Sequence, residues 1–109
     1  MRDFITWETG GIAVNPAWLQ LIARGAADFP SSKIVMPRQP RAAQLETLAV
    51  PTLLLLAEKS KAHDIRRVAE NAQRRLLRVT TSILPGASHH SIPIENPAQL
   101  NHQLQAFLP

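Results

Sequence analysis

Residues 51–84 read as strand, helix and strand, with so little chain between them that few topologies can accommodate them. "PTLLLLA" (51–57) is apolar without alternation, the pattern of a strand covered on both faces of a parallel sheet. The polar "EKSK" stops it. "DIRRVAENAQRRLL" (64–77) then places Ile65, Val68, Ala69, Ala72 and Leu76 on one helical face. "RVTTSIL" (78–84) is β-branched and partly alternating, as an edge strand is. A short helical crossover joins parallel strands in the right-handed sense, so residues 52–57 are expected to pair in parallel with 79–84.

The remaining chain supplies helices around this unit. "NPAWLQLIARGAADF" opens with Asn15 as a cap and Pro16 at the first helical position, and Leu19, Ile22, Ala23 and Ala26 follow at helical spacing. "NPAQLNHQLQAFL" repeats the Asn-Pro opening and is expected to bury Leu100, Leu104, Phe107 and Leu108 on one face. "PSSKIVMPRQPRA" carries three prolines and predicts an extended connector, and "AAQLETLAV" adds a short helix. Residues 1–14 show no sustained period. The fold class is α/β: residues 1–44 form a mostly helical or irregular segment, and residues 45–109 form a βαβα unit.

Composition removes several chemistries. The chain has no cysteine, which excludes disulfides, cysteine-zinc sites and a thiol nucleophile. With neither a long apolar run nor a charged start leading into one, a cytoplasmic protein with no membrane partner is the expectation. The net charge of +4 raises the question of an acidic partner. On a helical wheel, however, Arg67, Arg74 and Arg78 lie nearly opposite Ile65, Ala72 and Leu76, where a crossover helix meets solvent. No nucleic-acid-binding module is present, which leaves nucleic acid a distant alternative.

Ligand chemistry in parallel sheets sits beyond the carboxyl ends of the strands. Both polar clusters fall there: "EKSKAHD" (58–64) follows the first strand and "PGASHHS" (85–91) the second. Adjacent strands would bring Asp64 or Glu58 towards His89 or His90. A carboxylate orienting an imidazole is two thirds of a nucleophile, base and acid triad. Plainer roles stand beside these. Asp64 immediately precedes an apolar-periodic run and suits a helix N-cap, a role compatible with that of an acid. His90 reads as structural, Ser60, Ser88 and Ser91 as loop hydroxyls with local hydrogen bonds, and His102 as solvated.

With those residues in view, the chain resembles the C-terminal part of the alpha/beta hydrolase superfamily. "VPTLLLLAEKS", the amphipathic helix and "ILPGASHHSIPIENPAQLNHQLQAFL" stand where that superfamily has its last two core strands, acid loop, histidine loop and closing helix. Residues 1–44 are similar to the cap or linker that precedes them. The "PGxxH" pattern puts His89 on the catalytic histidine. The usual acid position is occupied by Ser60, which leaves Asp64, then Glu58, or an acid from an earlier strand outside this chain.

The nucleophile elbow GxSxG and a Gly-rich oxyanion loop are absent from the sequence. The resemblance therefore implies the last third of an esterase-like serine hydrolase, with catalytic residues His89 and Asp64 and no cofactor or metal. It would act on a small ester-like substrate only when completed, and would be inactive alone. The expected protein partner is a second copy of the chain or a complementary chain that covers the unpaired edge. The competing reading is a non-catalytic interaction module.

Overall fold

The computed structural model describes residues 2–109. At its centre, β1 (Thr52–Ala57) and β2 (Val79–Leu84) pair in parallel, from Thr52 opposite Val79 to Ala57 opposite Leu84. The crossover between them is α4 (Ile65–Arg75). The expected parallel pairing is thus present, in a sheet of two strands among the described residues.

The two faces of this sheet can be told apart. Gln73 of α4 donates to the Thr81 hydroxyl at 2.8 Å, so the face carrying Thr81 looks towards α4. By the alternation of strand side chains, Leu55, Ala57 and Leu84 point the other way. There Ala57 and Leu84 bury themselves with Ala87, and Leu55 and Ile92 pack against them. Ile92 belongs to α5 (Ile92–Glu95), which leads into α6 (Pro97–Phe107), and α6 packs on β2.

On α4, Ile65, Val68, Ala69, Ala72 and Leu76 are half-buried, whereas Arg66, Arg67, Arg74 and Arg75 are exposed, as the amphipathic spacing predicts. The helix ends at Arg75, where the Leu76 N–H closes on the Ala72 carbonyl at 2.8 Å. Arg78 therefore lies outside the helix and does not extend its basic stripe. Its carbonyl instead accepts the Thr52 N–H at 2.9 Å and starts the strand ladder.

Towards the N-terminus, α1 (Arg2–Glu8) and α2 (Pro16–Asp28) are followed by an exposed segment without regular structure over residues 30–41, then by α3 (Ala42–Glu46). Asn15 caps α2 by accepting the Ala17 N–H at 2.9 Å. The helix α1, which has no legible apolar period, is defined by its stop. Gly10 and Gly11 take positive φ values of 65° and 81°, conformations that side chains with a Cβ rarely adopt. The Gly11 N–H turns back to the Thr6 carbonyl at 2.8 Å, and the buried Thr9 hydroxyl donates to the Ile5 carbonyl at 2.9 Å. Between α1 and α2 runs a groove of about 750 Å³, lined by apolar side chains that include Ile5, Ile12, Val14 and Leu19.

Two packing expectations are corrected. The strand β1 is only partly covered on its two faces: Leu53 to Leu56 are all half-buried, because one helix and a thin cluster flank a two-stranded sheet. The closing helix, which packs on β2 and α5, leaves Leu104 37% exposed, and Leu108 just past its end is 61% exposed. The accessible surface of 8579 Å² compares with roughly 6,000 Å² for a compact chain of this mass. The radius of gyration is 16.3 Å, against about 13 Å for a compact domain of this length. Among the described residues no helix is long and apolar enough to cross a membrane.

Leu84 is 1% exposed and is the largest member of the central cluster. Leu84→Ala is expected to destabilise the fold by about 2–3 kcal/mol. Leu21→Ala, at a position 71% exposed, should change stability by less than about 0.5 kcal/mol. Urea midpoints for the two variants test the difference, with an unchanged slope for Leu21→Ala.

Candidate functional site

The strands end abreast, and their ladder continues into the loops. The Glu58 N–H donates to the Leu84 carbonyl at 3.2 Å and the Lys59 N–H to the Ala87 carbonyl at 2.9 Å. The carboxylate of Glu58 then accepts the N–H of Gly86 at 2.7 Å. Gly86 has a φ of 72°, the left-handed conformation that the turn after β2 requires. Glu58 thus holds the entrance of the histidine loop through its backbone and does not reach an imidazole.

Beyond that turn the loop closes on itself. The hydroxyls of Ser88 and Ser91, both buried, lie 2.8 Å apart. Ser91 Oγ accepts the Ser88 N–H at 3.0 Å and donates to the Ser88 carbonyl at 3.1 Å. These local bonds match the loop-hydroxyl reading and present His89 and His90 on the outside of a tight turn. The two rings stand 4.2 Å apart between centroids and are tilted by 44°.

Each nitrogen of His89 has a neighbour. The Ser60 hydroxyl lies 3.5 Å from Nδ1, at the long limit of a hydrogen bond, and also accepts the Ala62 N–H at 3.3 Å. On the other side, Glu8 Oε1 lies 3.2 Å from His89 Nε2 and 2.6 Å from His90 Nε2. An ionised carboxylate accepts only, so in the hydrogen bond between His90 and Glu8 the imidazole donates from Nε2, whereas His89 Nε2 stands at ion-pair distance from the same oxygen. A neutral His89 with its proton on Nε2 leaves Nδ1 to accept from the Ser60 hydroxyl. The Glu8 side chain is 12% exposed, that of His89 28% and that of His90 49%, so the cluster is open on the His90 side.

Asp64 is placed elsewhere. It caps α4, accepting the Arg67 N–H at 3.2 Å, and lies outside hydrogen-bond and ion-pair distance of His89. Of the two carboxylates in these loops, Glu58 fixes the turn and Asp64 caps the helix; the carboxylate that meets the imidazoles is Glu8 of α1. Glu8 was not legible as a partner, because it lies 82 residues before His90 in a helix with no apolar period. The readable signal was confined to the histidine pair itself.

Searches for relatives find no protein family, curated protein or solved structure that matches the chain.

Two substitutions separate the roles of the loop residues. Asp64→Ala should cost about 1 kcal/mol of stability through the lost cap and leave the His89 ring resonances in place. Ser60→Ala should move the His89 Nδ1 resonance while changing stability less. Nitrogen-15 spectra of the histidine rings, recorded with denaturation curves, check both.

Proposed function

We propose that the chain is the acid-loop and histidine-loop end of an alpha/beta-hydrolase-like enzyme acting on ester or similar acyl bonds, and that it does not turn over substrate alone. The observation that supports this reading most directly is the position of Ser60. It faces His89 Nδ1 from the loop after β1, where the resemblance expects the orienting acid. The parallel pairing beneath the two loops supplies the framework such a pair needs.

In the completed enzyme, a serine from elsewhere attacks the substrate carbonyl. His89 Nε2 accepts the serine proton and returns it to the leaving group, while an acid holds the ring from Nδ1. Asp64 or another acid takes that last part, and Asp64 would have to leave its capping position. The conformation described here points Nε2 at Glu8, so withdrawal of the Glu8 carboxylate is required before that nitrogen can serve as a base. Ser88 and Ser91 are locked to each other, and Ser60 stands at the wrong nitrogen, so none is placed as a nucleophile.

The experiment extends the chain with the coding sequence immediately upstream of Met1 and assays both forms on a short activated ester. The extended protein is expected to contain GxSxG, to turn over the ester saturably, and to lose on the order of 10⁴-fold or more in kcat with His89→Ala. The 109-residue chain should show no saturable turnover. An extension without the motif, or turnover by the shorter chain that His89→Ala abolishes, would contradict the proposal.

A second reading, an interaction module that covers its apolar surface with another chain, is favoured by the exposure of Ile34, Val35 and Met36 at 81%, 85% and 80%. It predicts a dimer or mixed assembly by light scattering. A monomer with a cooperative thermal transition would argue against it.

A further inference from the structure

We infer that Glu8, His89 and His90 form a binding site for one divalent transition-metal ion of the zinc class. The inference does not rest on the hydrolase reading and competes with it for one atom, because an ion held by His89 Nε2 removes that nitrogen from proton transfer.

The first ground is convergence. One carboxylate oxygen and two imidazole nitrogens, drawn from the end of α1 and from the turn after β2, all lie within 4.8 Å of one another. Tetrahedral zinc with bonds near 2.0–2.1 Å sets its ligand atoms about 3.3 Å apart. Glu8 Oε1 and His89 Nε2 already stand at 3.2 Å. Glu8 Oε1 and His90 Nε2, at 2.6 Å, need to open by roughly 0.7 Å, a change within reach of the half-exposed His90 ring.

The second ground is the support behind the ligands. The stop at Gly10 and Gly11 fixes the end of α1 just after Glu8, and the bonds between Ser88 and Ser91 fix the turn that carries both histidines. Ser60 adds a partner on the far side of the His89 ring. When Nε2 binds an ion, the proton it carried moves to Nδ1, so a neutral ring neither gains nor loses a proton overall. Ser60 Oγ then changes from donor to acceptor, which a hydroxyl can do.

The donor set selects the ion. Two imidazoles and one carboxylate suit zinc and its neighbours, whereas magnesium and calcium prefer oxygen donors throughout. Three protein ligands with an open solvent side leave a fourth position for water.

The test uses the whole chain in chelator-treated buffer, titrated with zinc chloride, with magnesium chloride as a parallel arm. Calorimetry is expected to show one zinc ion per chain and no magnesium binding. Histidine nitrogen-15 spectra should show His89 and His90 changing on zinc addition while His63 and His102 stay in place. Glu8→Gln, His89→Ala and His90→Ala should each weaken zinc binding by at least about tenfold, since even a residue behind a ligand contributes that much. His63→Ala and His102→Ala should leave it unchanged. Should Glu8→Gln fail to fold, the wild-type spectra decide alone. Absence of zinc binding, binding that follows His63 or His102, or binding indifferent to the His89 and His90 substitutions would overturn the inference.

Discussion

In-register parallel pairing between Thr52–Ala57 and Val79–Leu84 ends both strands at one level, and the placement of the polar loops follows from it. Because the ladder runs on through Glu58 and Lys59 to the carbonyls of Leu84 and Ala87, the two loops leave the sheet as neighbours. A slip of one residue would turn Leu55 and Ala57 to the face opposite Leu84 and break up the small cluster beside the turn at Gly86. The loop geometry therefore depends on sheet register and not on the loops' own sequences alone.

That framework gives neighbouring carboxylates different work. Glu58, tied to its strand, satisfies the backbone N–H of Gly86, while Asp64 satisfies an N–H at the start of α4. Neither is left to orient an imidazole, and the carboxylate that meets both rings comes from α1, far away in the chain. Through this contact the first helix belongs to the site. A cluster of one carboxylate and two imidazoles then has two chemically distinct uses, as a hydrogen-bonded clamp on Nε2 or as a ligand set for an ion.

The parts legible in the sequence were those set by local pattern. The apolar run of β1, the spacing of Ile65, Val68, Ala69 and Ala72, and the Asn15-Pro16 start of α2 each carry their structure within a few residues. What escaped was set by tertiary context. Leu104 and Leu108 keep helical spacing, but spacing does not reveal whether a layer lies opposite to cover them. Asn96, in the same Asn-Pro setting as Asn15, makes no side-chain cap and bonds Gln99 instead, at 2.8 Å. His89 and His90 were visible as candidates, whereas Glu8 was not, since nothing local distinguishes a carboxylate that will face a loop from one that will face water.

The convergence of Glu8 on both imidazoles is tested most directly by nuclear Overhauser spectroscopy on the isotope-labelled chain without added metal. The structure predicts cross-peaks from the Glu8 γ protons to ring protons of both His89 and His90, together with the contacts of a parallel β1–β2 pair. Persistence of the strand contacts with no cross-peak from Glu8 to either ring would show that the crossover forms without this site, and would contradict the account.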